Sequence, residues 1–383
     1  TVTTTASTVS DSTKRAQEVV YADQFSWGDR IIAYAPALSL LALCILFSLT
    51  TNTFFTIRNL LNVIDQLTVL GIMALGMTAV IVIGGIDLSV GSILALSMMV
   101  MGWLSNVAGI PMQFAIIAAL LTGALCGMTS GLLITRANLP AFIATLAVMS
   151  IARGLANMVT DGTQIVGYVE WFSELSINRY FGFISVTVAL FLVLTAVAFV
   201  FMKYRSGGRA LYAIGGNSEV ARLAGIPVKR VTVLVYTVCG VLAGLAGVVM
   251  STRLDSSQPS GGLGYELDTI AAVVIGGASL SGGVGSIWGT LMGVLTIGVL
   301  RNGLNLLGVS PFVQQVVIGL VIVLAVAVLL AGFILVDSVL PPVPEKGFAL
   351  QSIPILTLLV LPMGLLTMTL RQVAGTTVGL GYV

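Results

Sequence analysis

The chain has 383 residues, of which 57% are hydrophobic and 8% are charged, and its formal net charge is +2. Soluble domains carry about 25% charged residues, so the composition excludes a water-soluble globular protein and predicts an apolar surface that faces lipid. The small net charge gives no indication of a nucleic-acid partner. The sequence contains no histidine and so lacks the commonest general base and transition-metal ligand.

The N-terminal 30 residues are polar and contain no apolar core of a signal peptide. We expect segment 1–30 to be a cytoplasmic N-terminal segment without a cleavable leader. Cys44, Cys126 and Cys239 each lie alone in an apolar stretch. They form no CxxC pair, and we expect them to pack as small apolar residues without disulfides.

Hydropathy in windows of about 19 residues predicts an all-α integral membrane protein with about ten transmembrane helices. The predicted spans are 31–50, 66–84, 90–108, 111–134, 139–158, 183–202, 231–251, 269–281, 286–307 and 311–335. Glycines recur every fourth residue at Gly123, Gly127 and Gly131, and again at Gly240 and Gly244. This spacing predicts close helix packing inside the bundle.

Basic residues predict the orientation of the chain. The loop 203–230 holds six of the 17 lysines and arginines and a single acidic residue, and the positive-inside rule places it in the cytoplasm. Alternation of the spans then puts the N-terminus in the cytoplasm as well. Segments 51–65, 159–182 and 252–268 fall on the outer face.

One element of the sequence is repeated. Residues 82–93 read VIGGIDLSVGSI and residues 274–287 read VIGGASLSGGVGSI. Six predicted spans separate the copies, so both should lie at the same membrane face. Paired glycine-rich breaks of this kind are typical of transporters built from two related halves, and we interpret the repeat as a duplication.

No motif for catalysis or nucleotide binding is present. The sequence has no GxxxxGK(S/T) phosphate loop, and GGNSE at 215–219 lacks the basic residue that such a loop requires. Without histidine there is no conventional Ser–His–Asp arrangement, and no cluster of metal ligands is apparent. We therefore predict a chain that is not an enzyme and holds neither a cofactor nor a metal.

The loop 203–230 is long and charged among otherwise short connections. Gly215, Gly216, Asn217 and Ser218 predict a turn and a helix N-cap, a short helix should follow from 219 to 223, and Gly225 with the following residues should end it. Such a helix can present a docking surface to a soluble partner. A solvated positive-inside loop without a partner is the alternative interpretation.

The pattern GR-x-LYAIGGN-x-x-x-ARLAGI-x-V-x-R in this loop resembles the coupling segment of permeases in the ribose/xylose/galactose/arabinose family of bacterial ABC sugar importers. Three further blocks, at 82–97, 138–154 and 268–295, show the same resemblance, which covers roughly residues 55–330. It implies a permease domain over 31–335 in the bacterial cytoplasmic (inner) membrane. It also implies a second copy of this chain, an extracytoplasmic sugar-binding protein and a separate ATPase that carries ATP and Mg²⁺.

The same resemblance assigns roles to two groups of residues. The contact with the ATPase is implied for Gly215, Gly216, Asn217, Glu219, Ala221, Arg222, Gly225 and Ile226. Helix breaks beside the translocation pathway are implied for Gly84, Gly85, Asp87, Ser89, Gly276, Gly277 and Ser281.

Charged residues inside predicted spans need a partner or access to water. Asp87 would cost about 3 kcal/mol at the centre of a bilayer. We therefore expect Asp87 to hold a structural position, as a buried ion or a helix N-cap, and we favour this over a role as a substrate ligand. Arg153 and Arg301 lie near span ends, where we expect their side chains to reach water.

Segment 336–383 departs from the resemblance, because such permeases end soon after the last span. It is an atypical C-terminal extension with a second apolar stretch at 353–370 that contains Pro354 and Pro362. The predicted function is a permease subunit of an ATP-driven importer for a monosaccharide or related polyol. The alternative is a secondary carrier driven by an ion gradient, for which Asp87 is the clear candidate coupling carboxylate.

Overall fold

A computed structural model describes residues 27–180 and 182–321. The N-terminal segment up to residue 26 and the extension 336–383 lie outside the described residues. The helices are α1 (Trp27–Thr50), α2 (Ile57–Val82), α3 (Val90–Gly102, continued by a π-helical turn Trp103–Val107), α4 (Met112–Thr135), α5 (Ala141–Met158), α6 (Glu170–Ile177), α7 (Val186–Tyr204), α8 (Ser206–Gly216), α9 (Ser218–Leu223), α10 (Val228–Leu254), α11 (Tyr265–Ile275), α12 (Ile287–Leu306) and α13 (Pro311–Val321). The strands are β1 (Ile165–Val166), β2 (Arg179–Tyr180), β3 (Ile184–Ser185) and β4 (Ser256–Ser257).

The helices confirm a multi-pass membrane fold. Seven helices within the described ranges are long and apolar enough to cross a bilayer, and shorter apolar helices lie at Pro36–Thr50 and Pro311–Val321. The span predicted at 269–281 is wrong in its bounds. Helix α11 has 11 residues, which is about 16 Å at 1.5 Å per residue and half of a bilayer core of about 30 Å. The arrangement into about ten spans and two halves stays a prediction.

Two helices extend further than hydropathy predicts. Helix α2 begins at Ile57, behind an N-cap at Thr56 whose side chain accepts from the N–H of Asn59, so segment 51–65 is largely helical. Helix α1 begins at Trp27, inside the predicted N-terminal segment 1–30. Hydropathy windows miss such polar helix ends because they detect only the apolar part of a span.

Helix α2 lies at the centre of the bundle. In its most apolar stretch 78% of the residues are buried, compared with 22% for α7 and 28% for both α4 and α5. The peripheral helices therefore present apolar side chains outward, as lipid-facing helices do. The multi-pass membrane location predicted from composition is consistent with this distribution.

Helices α4 and α10 pack closely through glycines. A Cβ added at Gly240 would lie 3.0 Å from the Cα of Gly127, and one added at Gly244 would lie 3.5 Å from the Cα of Gly123. A Cβ added at Gly131 would lie 2.8 Å from the Cα of Val233. The glycine spacing thus serves packing within the bundle, which confirms the prediction.

At one end of the bundle, three predicted outer segments contact one another. Strand β1 pairs antiparallel with β4, and Arg179 forms an ion pair with Asp65 at 2.5 Å. Asp255 has φ +48° and accepts a hydrogen bond from the hydroxyl of Ser173 at 2.6 Å. The three predicted outer segments (51–65, 159–182 and 252–268) therefore share a face. That this face is the outer one stays a prediction.

Irregular backbone between β4 and α11 enters the bundle. Gly262 lies against Gly91 of α3, and a Cβ added at Gly262 would be 2.8 Å from the Gly91 carbonyl oxygen. Arg153 of α5 donates to the carbonyls of Pro259 (2.6 Å) and Gly261 (2.9 Å). Non-helical backbone is tolerated at this depth when protein groups satisfy it. The Arg153 side chain is bound to backbone rather than extended into water, so that expectation was wrong.

Candidate functional site

Both copies of the repeat end a helix in the same way. After α2, Gly84 has φ +80°, and the next amide, that of Gly85, donates to the carbonyl five residues earlier at 2.9 Å. After α11, Gly277 has φ +90°, and the next amide, that of Ala278, donates five residues back at 3.2 Å. This is the glycine cap that closes many helices. Gly277, rather than Gly276, is thus the structural counterpart of Gly84.

The two breaks meet each other and the end of α8. The N–H of Gly283 donates to the carbonyl oxygen of Val82 at 2.8 Å. A Cβ added at Gly282 would lie 2.9 Å from the Cα of Gly84 and 3.0 Å from the carbonyl oxygen of Gly215. We call this meeting point, formed by residues 82–85, 215–216 and 282–283, the glycine junction.

The closest backbone contacts in the glycine junction are those of Gly215. A Cβ at this position would overlap the Val82 carbonyl oxygen and the Gly283 nitrogen, and it would lie 3.0 Å from the Gly283 Cα. All three are backbone atoms, which cannot rotate away as a side chain can. A Cβ at Gly216 would contact nothing within 4 Å. Of these two glycines of α8, only Gly215 is therefore required by the packing.

The turn predicted at Gly215 and Gly216 is wrong, because both residues form the last turn of α8. The 11-residue helix α8 was not predicted. The hydroxyl of Tyr212 in α8 donates to the carbonyl of Gly285 at 2.8 Å. This hydrogen bond adds a second contact between α8 and the break after α11. Helix α8 is thus held against the bundle, and it is not a solvated loop.

The short helix α9 follows directly and confirms the predicted helix. Asn217 is its N-cap, and its side-chain oxygen accepts from the N–H groups of Glu219 and Val220, both at 3.0 Å. The N–H of Ile226 bonds the carbonyl of Ala221 at 3.0 Å, and Gly225 has φ +86°. The predicted N-cap and glycine stop of this helix are therefore confirmed.

The surface of α9 combines charge with apolar side chains. Arg222 donates to both carboxylate oxygens of Glu219, at 3.0 and 2.5 Å, and both side chains are more than 60% exposed. These hydrogen bonds lower the pKa of Glu219, so the pair is charged at neutral pH. Val220 and Leu223 are 60% and 74% exposed. An exposed apolar pair beside an ion pair is a surface suited to a protein partner.

Asp87 lies in the first break and is fully buried. One of its carboxylate oxygens accepts from the N–H of Ser89 at 2.8 Å and from the Ser89 hydroxyl. The N-cap of α3 is Ser89 itself, so the expectation that Asp87 is the N-cap was wrong. Asp87 instead closes the turn before α3, which supports a structural role.

The remaining predicted break residues differ in exposure. Gly276 packs against Gly289 and Thr290 of α12, with an added Cβ 2.8 Å from the Thr290 nitrogen. Ser281 is exposed, and its carbonyl oxygen would lie 3.6 Å from a Cβ added at Gly84. Both therefore belong to the surroundings of the glycine junction.

Sequence reasoning missed a group of charged residues at the other end of α2. Asp268 of α11 forms an ion pair with Arg301 of α12, and the Asp268 side chain is only 5% exposed. Arg301 was expected to reach water, and its side chain is 34% exposed, but its guanidinium also lies over the Tyr265 ring at 5.6 Å. The signal was available, since a charge inside an apolar membrane helix requires a partner.

Comparisons with known proteins identify the family. A protein-family profile described as "Branched-chain amino acid transport system / permease component" matches residues 59–326. The chain is 44% identical over 299 residues to the ribose import permease protein RbsC of Escherichia coli (strain K12), covering 76% of this chain and 92% of that protein. It is 47% identical over 292 residues to RbsC of Bacillus subtilis (strain 168), covering 76% and 90%.

A more distant relative is the fructose import permease protein FrcC of Rhizobium meliloti, 35% identical over 283 residues that cover 72% of this chain and 78% of the relative. No solved structure matches the chain significantly. These relatives are transport permeases and not enzymes, which confirms the prediction that the chain is not an enzyme. The chain belongs to this permease family, whose members include import permeases for sugars.

Proposed function

We propose that the chain forms the translocation pathway of an ATP-driven importer for a monosaccharide or related polyol. It couples to a separate ATPase through segment 203–230, with α9 as the docking element. The relatives are named for ribose and fructose import, which supports the substrate class. ATP and Mg²⁺ are held by the ATPase.

One observation carries the proposal. Helix α9 is largely exposed and follows α8 after the single residue Asn217, and Gly215 in the last turn of α8 lies between the two breaks of the repeat. A displacement of α9 therefore acts on the ends of α2 and α11 through backbone contacts that leave no free space. Close-packed contacts of this kind transmit displacement because they deform little.

The proposal includes three partners. The ATPase contacts the cytoplasmic face, where we place α8, α9 and the glycine junction. A sugar-binding protein delivers solute to the opposite face, where β1, β4 and α6 lie. A second copy of the chain completes the pathway, and exposed apolar side chains of α4, α5 and α7 face lipid or that copy.

The rival function is a secondary carrier. It requires a carboxylate that takes up and releases the coupling ion within the membrane. Asp268 is paired with Arg301, and Asp87 is bound to its own turn through one carboxylate oxygen, while its other oxygen has no partner among the described residues. The bound oxygen favours a structural role for Asp87. The import permeases named above also favour the ATP-driven function.

Thiol labelling tests the orientation. Cysteines introduced at Ser218 and Gln164, both exposed, should react with a membrane-impermeant reagent from opposite sides, Ser218→Cys from the cytoplasm. Ser256, at the predicted outer face, is only 5% exposed and unsuitable. The unmodified chain, with its three native cysteines, gives the background. Labelling of both positions from one side would contradict the proposed topology.

A further inference from the structure

Three basic side chains lie at the corner between α7 and α8. Arg205 is the single residue between the two helices, and its backbone is extended (φ −91°, ψ 151°). The chain turns back at this residue, because a Cβ added at Gly208 in the first turn of α8 would lie 2.6 Å from the Cα of Met202. The turn brings Arg209 back towards the end of α7, which carries Lys203. We call Lys203, Arg205 and Arg209 the basic corner.

The basic corner is arranged around Tyr204. The ammonium of Lys203 lies over the Tyr204 ring at 5.6 Å and over the Phe199 ring at 5.3 Å. The guanidinium of Arg209 donates to the Tyr204 carbonyl at 3.4 Å, and Arg205 is the next residue along the chain. Positive charges gathered around one residue repel one another. This arrangement therefore favours the binding of an anion.

No carboxylate within the described ranges balances the basic corner. The ion pairs of residues 27–180 and 182–321 are formed by Arg179, Arg222 and Arg301. The sequence contains no Asp or Glu between Glu174 and Glu219. All three side chains of the basic corner are exposed. Their charges are therefore accessible to an anionic partner from outside this part of the chain.

The basic corner lies where the bilayer core ends. Helix α7 has 19 residues, which is about 28 Å at 1.5 Å per residue and matches a bilayer core of about 30 Å. Beside the corner, Phe199, Phe201 and Tyr204 are 37%, 41% and 61% exposed. Exposed aromatic rings and long basic side chains at the end of a span are typical of the headgroup level of a membrane. An anion at this level is available as a lipid headgroup.

We infer that the basic corner binds the headgroup of an anionic phospholipid. The lipid phosphate accepts hydrogen bonds from Lys203, Arg205 and Arg209, and the acyl chains lie against Phe199 and Phe201. Guanidinium groups bind phosphate through paired hydrogen bonds, and the lysine ammonium adds a point charge. A soluble anion would gain only these charged contacts, whereas a lipid gains the apolar contacts as well. Helix α8 connects the basic corner with the glycine junction, so the bound lipid anchors the start of this helix.

Quenching by brominated phospholipids tests the inference without sugar or ATPase. Tyr204→Trp places an indole in the basic corner of the full chain, and its fluorescence is measured in phosphatidylcholine bilayers. These bilayers contain equal minor fractions of either brominated phosphatidylglycerol or brominated phosphatidylcholine. We expect phosphatidylglycerol to bind beside the indole at least about tenfold more tightly than phosphatidylcholine, with a preference that falls as salt is added. The chain without this substitution, with its four native tryptophans, gives the background.

Two charge variants in the same background separate the basic corner from the general charge of this segment. Lys203→Gln, Arg205→Gln and Arg209→Gln together should reduce the preference to about twofold or less. Lys229→Gln with Arg230→Gln is the matched control. It removes two exposed charges from the first turn of α10 and should leave the preference unchanged.

Three results would overturn the inference. Equal quenching by the two brominated lipids would show that the corner does not select an anionic headgroup. Absence of quenching by either lipid would show that protein covers the corner, from a second copy or another partner. Equal losses of preference in the two charge variants would show attraction by the whole segment.

A second measurement applies should Tyr204→Trp fold poorly. Native mass spectrometry of the unsubstituted chain and of the triple glutamine variant counts the molecules of phosphatidylglycerol that stay bound to each. The inference requires more bound lipid on the unsubstituted chain, and equal numbers would contradict it.

Discussion

Replacement of Gly215 by alanine tests whether the glycine junction transmits movement. The added methyl group overlaps backbone atoms of Val82 and Gly283 on two different breaks. Overpacking lowers the free energy of unfolding by about 1–3 kcal/mol. Alanine in place of glycine within a helix raises it by up to about 1 kcal/mol. We therefore expect Gly215→Ala to lower the free energy of unfolding by about 1–2 kcal/mol.

The functional effect should exceed the loss of stability, because relief of the overlap moves α8 away from both breaks at once. Sugar uptake and sugar-stimulated ATP hydrolysis should fall together in vesicles that contain the permease and its ATPase, while the ATPase still co-purifies with the chain. Thermal unfolding in the same detergent measures the stability of each variant.

Gly216→Ala is the matched control, one residue further along the same helix. The added methyl group meets nothing within 4 Å, and we expect unchanged uptake with unchanged or slightly raised stability. Equal uptake by the two alanine variants would refute the role of the glycine junction. So would a Gly215→Ala protein that is destabilised but transports normally.

Three further predictions follow from contacts elsewhere in the bundle. Asn302→Leu should lower the free energy of unfolding by about 1–3 kcal/mol, because Asn59 loses the reciprocal hydrogen bonds of 2.9 Å that it forms with Asn302. Measured by thermal unfolding, the double variant with Asn59→Leu should lose less stability than Asn302→Leu alone. Asp87→Asn should keep folding and uptake, since the amide oxygen of the asparagine still accepts from the turn before α3. Asp87→Ala, which lacks that oxygen, should unfold at a lower temperature. Loss of uptake in a folded Asp87→Asn protein would point to a coupling carboxylate instead. Glu219→Ala combined with Arg222→Ala should leave thermal stability almost unchanged, because exposed ion pairs contribute little, and should abolish sugar-stimulated ATP hydrolysis; normal uptake with a normally bound ATPase would show that α9 is not the docking element.

Sequence patterns identified those features whose cause is local. The capping side chain of Asn217 and the glycine stop at Gly225 act on residues within one turn, so spacing alone predicted helix α9. The repeated glycine spacing of α4 and α10 likewise predicted close packing. Charge bias grouped the predicted outer segments correctly, because it acts on whole loops.

Features that depend on distant partners were missed. The need for Gly215 arises from backbone more than 60 residues away in either direction, in the breaks after α2 and α11. Sequence had suggested a turn at Gly215 and Gly216 without distinguishing the two. Asp268 was assigned to an outer segment, because the hydropathy window placed the start of the span at 269 and missed the polar first turn of α11, which begins at Tyr265. Its pairing with Arg301 depends on how α11 packs against α12.

Reconstitution into vesicles tests most directly whether the chain is an ATP-driven permease. The purified chain is placed in vesicles, alone or with an importer ATPase and sugar-binding protein from the same genome, and uptake of radiolabelled D-ribose, D-fructose and D-allose is followed. We expect uphill accumulation of at least one sugar only when both partners and Mg·ATP are present, and no accumulation under a proton or sodium gradient alone. Uphill accumulation by the chain alone under an ion gradient would contradict an ATP-driven permease and establish a secondary carrier.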